Sequence, residues 1–351
     1  MGKDAALNEN RYLRWLSGET ASVYWHDSAV VQELDEAISN GARGLTTNPF
    51  LIASTLKSDP GFWASALKGV EPGIRGDARA EEWTVQVVAY LAAKVRGMRA
   101  LGDACGYCCA QVNPSRPGDV ETILAAAKRY QACGDNVVVK IAASRAGIEA
   151  IEECAALGMN VAATVSFTVA QVLAVGEAVR RGHERARKNG IRPGLGIAVL
   201  MVGRLDDYLR DVMQDTRAKA TESDVVWAGT AAIKRAWRIF RERGYECRLM
   251  PAGCRGAYHV TQLAGADMVM SIAPGIAKAL AGETQLTPRI NEDVDPGIIA
   301  RLMGMPEFVK AYEPDGMQPE EFITFGSFNR TLDQFVQCGW NTLKEFGLQP
   351  G

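Results

Sequence analysis

The chain has 351 residues, of which 47% are hydrophobic and 23% are charged, a composition typical of a globular protein. Its 39 lysines and arginines nearly balance its 41 aspartates and glutamates, which gives a formal net charge of −2. This balance argues against nucleic acid or an anionic membrane surface as a partner.

The eight cysteines do not suggest a metal site or a disulfide framework. Cys105, Cys108 and Cys109 form the one cluster, and no second group of cysteines or histidines has the spacing that zinc requires. The first residues lack an export signal, and no apolar run reaches the roughly 18 residues that cross a bilayer. We therefore expect no metal, reduced cysteines and a cytoplasmic protein.

Strand and helix patterns alternate along most of the chain. A short amphipathic helix is predicted over 8–18, and a mainly helical insertion over 50–103 with a loop at 71–78. Strands are predicted over 21–25, 41–45, 105–112, 136–142, 160–165, 196–202, 246–251 and 268–272. Helices are predicted over 29–39, after Asp119, over 145–157, 168–188, 205–215 and 222–243, and from Pro274.

Eight strands that alternate with helices predict an α/β protein with a closed parallel (β/α)8 TIM barrel. We expect a single domain over 1–351, with the barrel over 20–283. The remaining residues, 284–351, show helices and loops without a strand pattern, and we expect this C-terminal helical extension to pack across the barrel.

Lys140 interrupts the most apolar of these strands. Val137, Val138 and Val139 precede it, and such a continuous run indicates a strand buried on both faces. An unpaired ammonium is costly inside a protein, but the C-terminal end of a barrel strand is where these enzymes have their catalytic residues. Desolvation lowers the pKa of a lysine, and the neutral amine attacks carbonyl carbons to form Schiff bases. On the strand alone, a lysine that reaches out to solvent is the simpler alternative.

Polar residues stand at the ends of the other predicted strands as well. Each has a local explanation, such as a helix cap or a turn, but seven at corresponding positions indicate one site. In chain order they are Asp27, Asn48, Gln111, Lys140, Thr164, Arg204 and Arg255.

The chemistry of the side chains suggests their roles. Lys140 is the predicted nucleophile. Asp27 moves the proton of the hydroxyl on the carbon whose carbon–carbon bond breaks. Gln111 and Thr164 hold the water that carries protons during Schiff-base formation, and Asn48 binds a substrate hydroxyl.

Two arginines complete the predicted site. The planar guanidinium groups of Arg204 and Arg255 match a phosphate group. His26 precedes Asp27 on a strand, so its side chain should point the opposite way, and we interpret it as structural.

The chain resembles the transaldolase family in several blocks that occur in the same order. Gly44-Leu45-Thr46-Thr47-Asn48-Pro49-Phe50-Leu51-Ile52 resembles the family signature TTNPSLI. Val139-Lys140-Ile141-Ala142, followed by Gly147-Ile148, resembles the segment around the family's Schiff-base lysine. Further similar blocks are Asn160-Val161 through Thr164 with Phe167 and Ala170-Gln171, Val202-Gly203-Arg204-Leu205-Asp206, and Leu263-Ala264-Gly265-Ala266-Asp267. The resemblance covers about 20–280.

This resemblance implies transfer of a three-carbon dihydroxyacetone unit from a ketose phosphate to an aldose phosphate, without a metal or organic cofactor. It implies a role in carbohydrate metabolism, in the pentose phosphate pathway, with sugar phosphates as partners, and it leaves a homodimer open. The implied catalytic residues are Lys140, Asp27, Gln111 and Thr164, and the implied substrate-binding residues are Thr47, Asn48, Arg204 and Arg255.

Five positions depart from the family pattern. Gln111 replaces a glutamate, and the related fructose-6-phosphate aldolases, which cleave without an obligatory acceptor, also have glutamine there. Met201 stands where transaldolases have phenylalanine and these aldolases have tyrosine. Val199, Gly253 and Phe50 each replace a serine.

These departures leave two enzymatic hypotheses open. The chain is a transaldolase-type transferase, or a lyase that releases dihydroxyacetone on the same scaffold. A third hypothesis, a silent barrel that only binds or regulates, is disfavoured because Lys140, Asp27, Asn48 and Thr164 occur together.

Overall fold

The core of the protein is a barrel of parallel strands, seen in a computed structural model that describes residues 9–347. The strands are β1 (Val23–His26), β2 (Gly44–Leu45), β3 (Tyr107–Gln111), β4 (Val137–Ala142), β5 (Asn160–Thr164), β6 (Gly196–Leu200), β7 (Arg248–Pro251) and β8 (Val269–Ile272). They pair in the order β7-β6-β5-β4-β3-β2-β1-β8, and every ladder is parallel. Because β7 also lies against β8, the sheet forms a nearly closed barrel, and the predicted (β/α)8 fold is confirmed.

Helices connect and surround the strands. The α-helices are α1 (Arg11–Glu19), α2 (Val31–Ser39), α3 (Pro49–Ser58), α4 (Pro60–Ala66), α5 (Gly76–Val95), α6 (Val120–Gln131), α7 (Arg145–Ala156), α8 (Val169–Lys188), α9 (Val202–Thr216), α10 (Glu222–Val225), α11 (Ala228–Arg243), α12 (Tyr258–Thr261), α13 (Pro274–Leu280), α14 (Pro296–Leu302), α15 (Pro306–Tyr312), α16 (Gly326–Phe335) and α17 (Asn341–Glu345). Arg96–Leu101 and Pro319–Thr324 form 3-10 helices, and Val336–Trp340 forms a π-helical turn. Within residues 9–347, every helix is too short or too polar to cross a membrane.

The strands are buried on both faces, as the helices on the outside of a parallel barrel require. All residues of β3, β4, β5 and β6 are buried. This explains why the sequence shows continuous apolar runs there instead of an alternating pattern. Side chains at paired positions of neighbouring strands share a face, so the register decides which of them point into the barrel.

The second strand is shorter than predicted. Its ladder contains Gly44 and Leu45 only, although the sequence predicted a strand over 41–45. Gly41 has a left-handed φ of +97°, and the amide of Ala42 donates to the carbonyl oxygen of Ala37 at 2.9 Å. Residues 41 and 42 therefore complete the C-terminal end of α2, where a left-handed glycine is common.

Other boundaries differ as well. The sixth strand ends at Leu200 and α9 begins at Val202, so the predicted strand end at Arg204 was wrong and Arg204 lies in the first helical turn. The helix predicted over 222–243 is divided into α10 and α11. The first predicted helix, 8–18, corresponds to α1, and its residue 8 lies outside the described residues.

The segment after the barrel runs from α9 towards α3 and α5. Gly326 begins α16 against Tyr208 of α9, and a β-carbon at this glycine would lie 2.5 to 2.6 Å from the tyrosine ring. At the other end, Gly339 lies against Pro49 of α3, and Trp340 Nε1 donates to Asp77 Oδ1 of α5 at 2.9 Å. These contacts hold α16 beside the C-terminal ends of the strands, where the predicted site residues are.

Candidate active site

A cavity of about 380 Å³ opens at the C-terminal ends of the strands. Five of the eight predicted site residues line it, from five different strand–helix units of the barrel: Asp27, Asn48, Lys140, Arg204 and Arg255. The other three, Thr47, Gln111 and Thr164, are buried outside its lining. A concave site with a few convergent polar groups is the usual form of a small-molecule site.

Lys140 lies on β4 with its side chain inside the barrel. It is in register with Gln111 on β3 and with Ala162 on β5, and 5% of its surface is exposed. Among residues 9–347, its Nζ has no hydrogen bond or ion pair. The amine faces a cavity large enough for a small carbonyl compound.

Asp27 accepts a hydrogen bond from Thr46, which in turn contacts Ser271, and sequence reasoning missed both hydroxyl groups. Thr46 Oγ1 donates to Asp27 Oδ1 at 2.6 Å, and the hydroxyl oxygens of Thr46 and Ser271 lie 2.8 Å apart. Since the single proton of Thr46 goes to the carboxylate, Ser271 must donate to Thr46. The period of two along a strand could have suggested Thr46, because it stands two residues before Asn48 in the segment that follows β2.

Asn48 and Thr47 use their side chains differently, although they are neighbours. Asn48 Oδ1 accepts a hydrogen bond from the amide of Leu51 at 3.0 Å and caps α3, which leaves the Nδ2 group as the donor for the cavity. Thr47 is fully buried and donates to the carbonyl oxygen of Cys109 at 2.7 Å. Thr47 thus ties β2 to β3, and its role in substrate binding stays a prediction.

Gln111 and Thr164 lie on the two strands that flank Lys140, and both are buried. In the part of the chain that the structure describes, Gln111 Oε1 and Thr164 Oγ1 have no hydrogen-bond partner. Buried polar atoms of this kind normally bind an ordered water when the protein offers no partner. The water site between them and their catalytic roles stay predictions.

Arg204 has no carboxylate partner within the part of the chain that the structure describes. Burial lowers the pKa of Arg204, and the positive charges of Arg255 and Arg330 lower it further, against the opposing effect of Asp207. Its guanidinium carbon lies 5.7 Å from the centre of the Phe335 ring. A desolvated cation next to other cations favours an anion as its ligand.

Arg255 lies in the loop after β7 and is fixed from both sides. Its Nε and Nη2 donate to Asp207 Oδ2 at 2.8 and 2.6 Å. Its backbone amide donates to Nδ1 of the buried His259 at 3.1 Å, so the ring proton lies on Nε2, which is 2.9 Å from Asp206 Oδ2. Sequence reasoning missed this buried His259–Asp206 pair, which orients the loop that carries Arg255.

Residues 24–318 match the sequence model of the family described as Transaldolase/Fructose-6-phosphate aldolase.

The chain belongs to the transaldolase/fructose-6-phosphate aldolase family.

It is therefore an enzyme of the transaldolase or aldolase kind, and the resemblance found in the sequence is confirmed.

Curated relatives support the family at low identity. A protein named Transaldolase from Renibacterium salmoninarum is 28% identical over 207 residues, which cover 57% of this chain and 54% of that relative. The chain thus matches about half the length of that protein. A protein named Transaldolase 2 from Nostoc punctiforme is 24% identical over 298 residues, which cover 75% of this chain and 78% of that relative. A second protein from that organism, named Transaldolase, is 27% identical over 267 residues, covering 73% and 72%.

Two of the residues that depart from the transaldolase pattern contribute to an apolar wall of the cavity. Phe50 and Met201 line it, together with Leu51 and Phe335. Gly253 also lines it, with a left-handed φ of +64°, which a serine would adopt only with strain. The backbone therefore explains the glycine, whereas nothing in the structure explains Met201.

Proposed function

We propose that this enzyme transfers a dihydroxyacetone unit from a ketose phosphate to an aldose phosphate through a Schiff base on Lys140. The observation that carries the proposal is the buried Nζ of Lys140, which has no partner among the described residues and shares one cavity with Asp27 and Arg204. These three groups supply a nucleophile, a proton acceptor and a binding site for an anion. The names of the curated relatives support the same reaction.

The first half of the reaction forms a Schiff base at C2 of the ketose and then breaks its C3–C4 bond. Lys140 Nζ attacks the ketose carbonyl carbon, C2, and the carbinolamine loses water to give an iminium ion. Asp27 then accepts the proton of the C4 hydroxyl while the C3–C4 bond breaks. The electrons of the C3–C4 bond move into the iminium group. An aldose phosphate leaves, and a three-carbon enamine remains on Lys140.

The second half reverses these steps with a new aldehyde. The enamine carbon attacks the carbonyl carbon of the acceptor, Asp27 returns its proton to the new hydroxyl, and water hydrolyses the iminium ion. A water bound between Gln111 Oε1 and Thr164 Oγ1 would carry the protons of carbinolamine formation, and the missing partners of both atoms support this role.

A second candidate function rests on Gln111. If water reaches the enamine before an acceptor does, protonation and hydrolysis release dihydroxyacetone, and the enzyme acts as a lyase. A carboxamide orients water but does not exchange protons with it as a carboxylate does. The fructose-6-phosphate aldolases that the chain resembles also have glutamine at this position, and this resemblance favours release over transfer relative to a glutamate.

Borohydride reduction in the presence of fructose 6-phosphate tests the proposal. We expect a mass increase on Lys140 in the wild type and none in Lys140→Met. The matched control is Lys234→Met, because Lys234 is also a buried lysine, 2% exposed, but donates to backbone carbonyls away from the cavity. An unmodified Lys140 in the wild type would refute the Schiff-base mechanism. Accumulation of glyceraldehyde 3-phosphate without an acceptor aldose would favour the lyase.

A further inference from the structure

A second cavity of about 340 Å³ lies beside the cavity of Lys140. The two share Arg204, Arg255 and Gln334 in their linings, so they meet at the arginines. The second cavity also includes Arg330 and Thr331 of α16, and we call it the α16 chamber.

Positive charge dominates the lining of the α16 chamber. It contains three guanidinium groups, from Arg204, Arg255 and Arg330, and one carboxylate, from Asp207. That carboxylate is shared, because Arg210 Nη1 also donates to it at 3.0 Å. Arg204 has no carboxylate partner of its own among residues 9–347, and the charge of Arg330 reaches it, since it lowers the pKa of Arg204.

The chamber also contains a polar atom that lacks a partner. Thr331 is 1% exposed, and its Oγ1 has no hydrogen-bond partner in the described part of the chain. An unpaired buried hydroxyl destabilises a fold unless a ligand or water pairs with it. Together, a hydroxyl donor and three guanidinium groups can donate hydrogen bonds to an oxyanion that has several acceptor oxygens.

We propose that the α16 chamber holds the phosphate group of the sugar-phosphate substrates, with Arg330 and Thr331 as ligands besides Arg204 and Arg255. The inference rests on the proposed function, since the anion is the terminal phosphate of a sugar whose carbonyl carbon reaches Lys140. Preference for phosphorylated substrates is then set in part by α16, which lies outside the barrel.

Inorganic phosphate is the probe for a direct test, by calorimetric titration of the intact protein. Thr331→Val removes the unpaired hydroxyl at nearly constant volume, and we expect phosphate to bind about five- to tenfold more weakly. Thr230→Val is the matched control, because Thr230 is another buried threonine whose Oγ1 has no partner among residues 9–347, and it does not line the chamber. Equal phosphate affinity of the two variants would overturn the inference.

A second pair of variants should act in opposite directions. Arg330→Gln removes a cation, and we expect about tenfold weaker phosphate binding and a higher KM for fructose 6-phosphate. Asp211→Asn removes the carboxylate that pairs with Arg330 Nη1 at 2.6 Å, and we expect tighter phosphate binding. Inorganic phosphate should compete with fructose 6-phosphate, and non-competitive inhibition would refute the assignment to the substrate phosphate.

Adduct formation with unphosphorylated dihydroxyacetone separates this inference from the proposed function. Borohydride should trap this ketone on Lys140 equally well in wild type, Thr331→Val and Arg330→Gln. An adduct together with phosphate binding that is unaffected in both variants overturns the chamber alone. No adduct in the wild type, with phosphate binding that depends on Thr331, overturns the Schiff-base function and supports the phosphate site.

Discussion

Thr46 donates its hydroxyl proton to Asp27, with 2.6 Å between Oγ1 and Oδ1. This bond directs one oxygen of the carboxylate to the protein and leaves Oδ2 for the substrate. In the proposed mechanism, this bond orients the carboxylate of Asp27. Orientation matters because a proton acceptor works only within hydrogen-bond distance of the proton that it removes.

The variant Thr46→Val should lower kcat by about tenfold, since a hydrogen bond to a charged group is lost. Adduct formation on Lys140 should persist, because the nucleophile is untouched. Ser271→Ala should have a smaller effect, since Ser271 contacts Thr46 and not the carboxylate. Rapid-quench measurement of cleavage and borohydride trapping together check this, and equal effects of both substitutions would contradict the ordered chain of donors.

Asp27→Asn should stop the reaction after the adduct has formed. An amide does not accept the proton of the C4 hydroxyl, so we expect carbon–carbon cleavage to fall by about 100- to 10,000-fold. The measurement is the ratio of trapped six-carbon adduct to released glyceraldehyde 3-phosphate. Wild-type turnover of this variant would remove Asp27 from its role as the proton acceptor.

Gln111→Glu should change the fate of the three-carbon enamine. A carboxylate at this position titrates and exchanges protons with the bound water, whereas the amide keeps one protonation state. We expect a lower ratio of dihydroxyacetone release to transfer to erythrose 4-phosphate in the variant. Both products are measured side by side across pH, and identical ratios would show that Gln111 does not decide between transfer and release.

Lys234 predicts a pH dependence of stability. Burial lowers its pKa to about 8, and its Nζ donates to the carbonyl oxygens of Arg289 and Glu292 at 2.9 and 2.6 Å. Between pH 8 and the lysine's ordinary value, the unfolded chain holds a proton that the folded chain has lost. The contribution of Lys234 to the free energy of unfolding therefore rises with pH in this range and is constant below it.

Urea unfolding of wild type and Lys234→Met at pH 7 and 9.5 measures this contribution. We expect the difference between the two proteins to grow by on the order of 1–2 kcal/mol in favour of the wild type. A difference that is the same at both pH values would show that Lys234 has an ordinary pKa in the folded protein.

The barrel and three residues of the candidate site could be predicted because they follow from local sequence rules. Buried parallel strands leave continuous apolar runs, and polar residues at corresponding ends of several such runs indicate one site. Lys140, Asp27 and Asn48 were found in this way, and the structure brings them to one cavity. Arg204 was placed on a strand end because periodicity does not show that a helix begins two residues after β6.

Residues that act through tertiary contacts gave no such signal. Ser271 lies in an ordinary strand, and its bond to Thr46 depends on the closure of β8 against β1. His259 supports Arg255 from a four-residue helix that periodicity does not detect. Arg330 and Thr331 reach the arginines only because α16 packs on α9, and the sequence does not specify where a helix after the barrel will dock.

The close packing of Gly326 on Tyr208 has an evolutionary consequence. The proposed catalytic residues are encoded between Asp27 and Thr164, whereas Arg330 and Thr331 are encoded more than 160 positions later. Mutations in α16 can therefore alter which substrates are accepted without disturbing the strands that hold Lys140. We expect a glycine to be retained at position 326 during such change, because a β-carbon there would lie 2.5 to 2.6 Å from the Tyr208 side chain. Descendants of this enzyme with new substrates should differ most along the exposed turns of α16 and retain a glycine at its start.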